Sequence, residues 1–127
     1  MATIKSYTDL EQSKKLAEIL LIESADMHYN NGSCRGVDYT EHFSAELMPY
    51  QDALHLIKIH KTNFMFQVIP CWSLAALLSI LPKYEIYNNG ETIQLDVNLE
   101  ALGTEGNETL LDLVVNMIIH LHERKML

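Results

Sequence analysis

Hydrophobic residues are most concentrated in one segment near the middle of the chain, PCWSLAALLSILP at 70–82. Ser73 is the expected N-cap of a helix there, and Pro82 stops it. A helix of about two turns that is apolar on every side is not stable alone in water, so we expect it to be buried in the core or against a partner. Its leucines follow the i, i+3, i+4, i+7 spacing of a helix face: Leu74, Leu77, Leu78 and Leu81.

Two further helices are predicted, one toward each end of the chain. The first spans about 9–21, where Thr8 and Glu11 have the T-x-x-E spacing of a capping box. The last spans about 108–124, with acidic residues near its start and basic residues at its end, as the helix dipole favours. Its broad apolar face is formed by Leu110, Leu113, Val114, Met117, Ile118 and Leu121.

The segments between these helices have the pattern of antiparallel strands. In the clearest one, apolar and polar residues alternate from Ile93 through Leu99 to Glu100, which predicts one buried and one solvated face. Asn89-Gly90 predicts a hairpin that pairs this strand with a strand at 84–88. Further strands are predicted at 27–29, 54–60 and 64–69, the last of them ended by Pro70.

These elements together predict an α+β protein, with a small antiparallel sheet of about three to five strands packed against about three helices. The 127 residues fit a single domain spanning 1–127. The composition, 48% hydrophobic and 20% charged, is that of a globular chain that can bury a core without disulfides.

Cysteine usage and the N-terminal sequence predict a cytoplasmic protein. Cys34 and Cys71 have no CxxC partner, so we expect both to be reduced thiols. The N-terminus lacks the apolar run of a signal peptide, and no apolar stretch approaches the roughly 20 residues that a membrane-spanning helix needs.

The formal net charge of −8 comes entirely from the C-terminal third. Residues 84–123 contain eight acids and neither Lys nor Arg, and in the rest of the chain nine acids balance nine bases. Such a surface repels phosphate backbones, so we do not expect DNA or RNA binding. The acids either keep a small protein soluble or form a face for a basic partner.

Histidines and acids do not predict a metal site or require a cofactor. No HExxH or finger-like spacing is present. Asp112, Asn116 and His120 form a polar stripe along the last helix, which either lines a site or is simply a solvated face. The histidines are His28, His42, His55, His60, His120 and His122.

Cys71 is the one residue whose position suggests catalysis. It lies just before a predicted helix N-terminus, where the dipole lowers a thiol pKa and a nearby histidine could serve as base. The alternative is a buried, inert thiol beside Trp72, which is itself either a core anchor or an interface residue. We assign no catalytic, cofactor-binding or metal-binding residue from the sequence.

Three segments together resemble a family of small uncharacterised proteins encoded by prophages and mobile elements of gut-type bacteria. They lie at 11–29, 69–82 and 110–124, and the most specific part is P-x-W-S-L-x-x-L-L-x-x-L-P, from Pro70 to Pro82. Members often carry Ala at the position of Cys71, which disfavours a nucleophile there. The resemblance implies no particular activity.

The sequence therefore leads to two hypotheses about function. The first is a non-enzymatic accessory protein of a phage or mobile element that acts through protein–protein interaction or self-association. The second is a small enzyme that uses Cys71 as nucleophile with a histidine base. The first is favoured because the sequence contains no recognisable catalytic motif.

Overall fold

The computed structural model describes residues 5–30, 44–50, 52 and 68–127. These residues form three α-helices and six strands, which confirms the predicted α+β class and its antiparallel pairing. The predicted strand at 54–60 and most of the one at 64–69 lie outside the described residues. The elements in chain order are α1 (Leu10–Ala17), a 3₁₀ turn (Ile22–Ser24), β1 (Met27–Asn30), β2 (Ser44–Glu46), β3 (Val68–Cys71), α2 (Leu74–Ile80), β4 (Tyr84–Asn88), β5 (Ile93–Val97), β6 (Glu100–Gly103) and α3 (Leu110–Glu123).

The strands of the described residues form two three-stranded antiparallel sheets, in the orders β2-β1-β3 and β4-β5-β6. In the first sheet, Tyr29 at the centre of β1 is opposite Ala45 on one side and Ile69 on the other. Pro70 does not end β3 as predicted, because the strand continues to Cys71. Proline is tolerated there since β3 is an outer strand in the described part of the sheet.

The N-terminal helix α1 is capped one residue later than predicted. Asp9, not Thr8, is the N-cap, and its carboxylate accepts from the N–H of Gln12 at 2.8 Å, while the Gln12 side chain accepts from the N–H of Asp9 at 3.1 Å. The Thr8 hydroxyl is buried instead, 2.7 Å from Ser13 Oγ, and it accepts from the N–H of Trp72 at 3.2 Å. The Thr8 hydroxyl, which the local sequence pattern predicted to cap α1, therefore makes tertiary hydrogen bonds instead.

Helix α2 begins and ends as predicted, with the Ser73 side chain accepting from the N–H of Ala76 at 3.1 Å. The expected burial in the core is found on one side only, because Ala75 and Ser79 are exposed and only Leu77 within the helix is fully buried. The helix packs one face against α3. A core contact on one side is sufficient for a short helix whose N-terminus is capped.

Trp72, immediately before α2, is a core residue rather than a surface one. Its side chain is completely buried, and its indole N–H donates to Ser24 Oγ at 2.9 Å. The hydrogen bond explains how the polar end of a tryptophan is accommodated inside the protein.

The predicted strand from 93 to 100 is two strands joined by a tight turn. Asn98, with φ of 58°, and Leu99 form the turn between β5 and β6, so that Val97 is opposite Glu100. Leu99 was expected to be buried and is instead fully exposed. The preceding hairpin is confirmed, but its loop has four residues, 89–92, and only Gly90 has positive φ.

Helix α3 lies over β5 and β6 and completes the main core. Thr109 and Asp112 form the capping box at its N-terminus, so it begins close to the predicted position. Leu95 and Val97 of β5 are fully buried beneath it. Its own buried residues are Leu111, Leu113, Val114, Val115, Met117, Ile118 and Leu121.

Candidate functional site: an exposed strand at the edge of the second sheet

Cys71 lies in a buried structural cluster rather than in an open site. Its side chain is completely buried, and its Sγ lies 3.5 Å from Thr8 Oγ1 and donates to the Thr8 carbonyl oxygen at 3.5 Å. Burial raises the pKa of the Cys71 thiol, which keeps it in the unreactive protonated form. Within the described residues, none of the hydrogen bonds of Cys71 involves a histidine.

The polar residues Asp112 and His120 of α3 contact different parts of the protein and do not form one site. Asp112 accepts from Lys5 Nζ at 2.8 Å and from Gln12 Nε2 at 2.9 Å, which ties the N-terminal segment to α3. Partial burial opposes ionisation, but these hydrogen bonds and those from Thr109 outweigh it and lower the pKa of Asp112 to about 2. His120 pairs instead with Glu100 on β6, Nε2 to Oε2 at 2.8 Å.

The described residues bring together no group of three potential metal ligands. The same part of the chain has no helix long and apolar enough to cross a membrane. A cleft of about 300 Å³ between the segment that follows α1, the end of α2 and the C-terminal end of the chain has a largely apolar lining. His122 is the one ionisable side chain among the described residues that line it, so the cleft offers no acid–base pair.

Strand β4 is the feature that the described core leaves uncovered. All five of its residues are exposed, including Tyr84 at 37%, Ile86 at 38% and Tyr87 at 51%. Ile86 is opposite Leu95, which is fully buried. The inner face of the sheet is therefore covered at β5, beneath α3, and open at β4.

The hydrogen bonds of β5 show which backbone groups of β4 face outward. The N–H of Thr104 donates to the Ile93 carbonyl at 2.9 Å, and the N–H of Ile93 donates to Thr104 Oγ1 at 3.0 Å, so the polar groups of Ile93 face β6. Because these directions alternate along a strand, the polar groups of Gln94 and Asp96 face β4. Their partners across the ladder are Tyr87 and Glu85.

The backbone groups of the other β4 residues consequently face away from β5. Tyr84 and Ile86 occupy the alternate, non-hydrogen-bonded positions of the β4–β5 ladder, so their N–H and C=O groups point to the outer edge. In the described residues, β5 is the strand that pairs with β4. The outer edge thus presents hydrogen-bonding groups next to two partly exposed apolar side chains, which is a template for another strand.

The outer face of the same sheet carries two opposing acids. Glu85 on β4 is directly opposite Asp96 on β5, an arrangement that destabilises a sheet. Neighbouring donors offset part of this cost: Tyr87 donates to Glu85, and Gln94 Nε2 donates to Asp96 at 2.8 Å. The bond to the Glu85 carboxylate raises the pKa of the Tyr87 hydroxyl.

The sequence predicted the hairpin but not the exposure of its first strand. The signal that was present is the alternation in YEIYN, where Tyr84 and Ile86 share one face and Glu85 and Tyr87 share the other. Alternation alone cannot tell whether a helix covers the apolar face. Comparisons with family models, curated proteins and solved structures find no match to this chain.

Proposed function

We propose that the protein is a non-enzymatic accessory protein that acts by protein–protein interaction, with β4 as its binding strand. The observation that carries this proposal is that all five residues of β4 are exposed, with outward-facing backbone groups beside Tyr84 and Ile86. Strand addition to such an edge supplies main-chain hydrogen bonds for affinity and side-chain contacts for specificity.

The composition of β4 supports binding rather than protection of the edge. Protected edge strands commonly carry lysines, prolines or inward-pointing charges. β4 has one charged residue, Glu85, on the outer face, and its other side chains are Tyr84, Ile86, Tyr87 and Asn88. Tyrosine is enriched at protein interfaces, where its ring packs and its hydroxyl can hydrogen-bond.

The resemblance of the segment from Pro70 to Pro82 to proteins of prophages and mobile elements supplies the biological context of the proposal. In that context, the partner is a protein of the phage, of the mobile element or of the host. The buried Cys71, with its raised pKa, does not support the alternative of a thiol enzyme.

The proposal is tested by site-specific photo-crosslinking in cells. A photoreactive amino acid replaces Tyr87 on β4 or, as the control position, Ala75 on the exposed side of α2. We expect a discrete protein adduct from position 87 and none of the same mass from position 75. Identical adducts from both positions, or no adduct from position 87, would contradict the proposal.

A proline substitution separates backbone pairing from side-chain contact. Ile86→Pro removes an outward-facing N–H without removing a β4–β5 hydrogen bond, and proline is tolerated at such edge positions. Ile86→Ala removes the apolar side chain but keeps the N–H. We expect Ile86→Pro to abolish the adduct at position 87 and Ile86→Ala to reduce it. An adduct that survives Ile86→Pro unchanged would exclude strand addition.

A further inference from the structure

The pattern of side chains around β4 also defines the chemistry of the segment that it binds. Resting on the proposed function, we propose that the partner is an antiparallel extended segment that alternates apolar and basic residues, with Lys or Arg opposite Glu85. A strand added to β4 extends each cross-strand row of the sheet by one residue. Two of these rows on the inner face of the sheet and one on its outer face determine which side chains the added strand should carry.

The inner rows call for apolar side chains. One row runs from Ile86 through Leu95 to Leu102, and the neighbouring row pairs Tyr84 with Val97. Leu95 and Val97 are fully buried, whereas Ile86 and Tyr84 are about one-third exposed, at 38% and 37%. Apolar residues at alternate positions of an added strand would cover them and extend the core outward.

The outer row calls for a cation. It runs from Glu85 to Asp96, and an added residue opposite Glu85 would continue it. Because the backbone of Glu85 bonds to β5, this residue would occupy a non-hydrogen-bonded position, where side chains on paired strands are closest. A basic side chain there would neutralise the two opposing carboxylates, one of which is exposed and the other half-buried.

Charge also selects a different chain over a second copy of this one. If two copies paired antiparallel about Ile86, Glu85 of each would be opposite Tyr87 of the other, and no base would enter the acidic row. Only pairing about Tyr84 would bring a base into it, Lys83 of the other copy, and Lys83 of the same copy already lines a cleft with Glu85 and Asp96. Residues 84–123 of each copy would also bring eight acids without Lys or Arg. Like-charged surfaces disfavour association, so electrostatic complementarity favours a basic heterologous strand.

Synthetic peptides test this chemistry directly. Three capped peptides of equal length alternate valine with lysine, glutamine or glutamate, and each is titrated into the full chain labelled with ¹⁵N. We expect the valine–lysine peptide to shift the amide resonances of 84–88 most strongly. The glutamine peptide should bind about fivefold more weakly, and the glutamate peptide should not bind measurably.

Two double variants locate the charge effect. Glu85→Gln/Asp96→Asn removes the acidic row and should weaken the lysine peptide about fivefold, to the level of the glutamine peptide. Glu91→Gln/Glu105→Gln removes the same charge from the hairpin loop and from the loop after β6, and should leave binding within about twofold. Equal losses in the two variants would show that net charge, not the row, attracts the peptide, and would overturn the inference.

The remaining outcomes separate this inference from the proposed function. Equal affinity for the lysine and glutamine peptides would overturn the requirement for a base. If no peptide bound but the adduct at Tyr87 still depended on Ile86, strand addition would stand and the partner chemistry would be wrong. Concentration-dependent dimers in sedimentation that Ile86→Pro removes would identify a second copy as the occupant and overturn the inference.

Discussion

Strands β1 and β4 both end in Tyr-Asn but have opposite environments. β1 reads MHYN and all four of its residues are buried, whereas β4 reads YEIYN and all five are exposed. Hydrophobic content does not explain this difference, since β1 includes His28 and Asn30. The position in the sheet does: β1 lies between two strands, and β4 is an outer strand of the described sheet that α3 leaves open. All four residues of β1 are part of the interior, whereas those of β4 remain accessible to solvent.

The largest effect on stability is expected from the main core, to which Trp72 belongs together with Leu95 of β5 and the buried residues of α3. Trp72→Ala leaves a large cavity and removes the indole donor to Ser24 Oγ, whose hydroxyl still donates to the Leu21 carbonyl oxygen. It should lower the free energy of unfolding by about 3–5 kcal/mol in chemical denaturation. Ile86→Ala on β4 should cost less than about 1 kcal/mol, because the side chain is 38% exposed. Comparable losses from the two variants would remove the contrast between the regions.

A matched pair of tyrosines compares the two strands directly. Tyr29 on β1 donates to the buried carbonyl of Thr8 at 2.7 Å, so Tyr29→Phe leaves that carbonyl with only the weak thiol donor of Cys71. We expect a loss of about 1–2 kcal/mol in the free energy of unfolding. Tyr87→Phe on the exposed strand should change it by no more than about 0.5 kcal/mol. A larger loss from the β4 variant would show that this strand also supports the fold.

The carboxylate of Asp112 anchors α3, which covers the second sheet, to the N-terminal segment. Because the pKa of Asp112 is lowered to about 2, its ionised form stabilises the fold above about pH 4, and that contribution disappears as the pH falls toward 2. Solvent screening at a side chain that is 21% exposed limits the effect. Asp112→Asn should cost about 1–2 kcal/mol at neutral pH and little at pH 2 in urea unfolding.

The exposed acid Asp52 provides the control for this pH dependence. Asp52→Asn removes the same charge from an exposed position and should change the free energy of unfolding at neutral pH by no more than about 0.5 kcal/mol. A difference between Asp112→Asn and the unmodified protein that persisted at the lowest pH would show that packing, rather than charge, is responsible.

The smallest predicted effect has the opposite sign. Glu85→Gln relieves the repulsion with Asp96, so it should raise the free energy of unfolding by about 0.2–0.5 kcal/mol while weakening the binding of a basic strand. Glu91→Gln removes a loop charge that has no opposing acid across the ladder, and should leave both quantities nearly unchanged. If Glu85→Gln lost stability, the opposing acids would not be a cost to the free protein.

Local signals in the sequence predicted several elements correctly. The Ser73 cap, the hairpin at Asn89-Gly90 and the position of α3 each depend on residues within a few positions of one another. The errors arose where distant contacts decide. Thr8 bonds to Trp72 rather than capping α1, and Leu99 lies in a turn that the uninterrupted alternation concealed.

The candidate site could be predicted only in part for the same reason. The alternation in YEIYN indicates a strand with one apolar face, and the acid-rich composition of 84–123 leaves open whether these acids keep the protein soluble or form a surface for a basic partner. The exposure of β4 depends on where α3 packs. This helix begins more than twenty residues later in the chain and lies over β5 and β6. No local pattern in the sequence specifies which of three neighbouring strands that helix covers.

Amide hydrogen exchange of β4, measured residue by residue with and without the valine–lysine peptide, tests the central claim most directly. In the free protein, the amides of Tyr84 and Ile86 should exchange rapidly, while those of Glu85 and Tyr87, bonded to β5, should exchange slowly. When the peptide is bound, all four should exchange slowly. Slow exchange at Ile86 in the free protein, equal to that at Tyr87, would show that the edge is already occupied and would contradict the account.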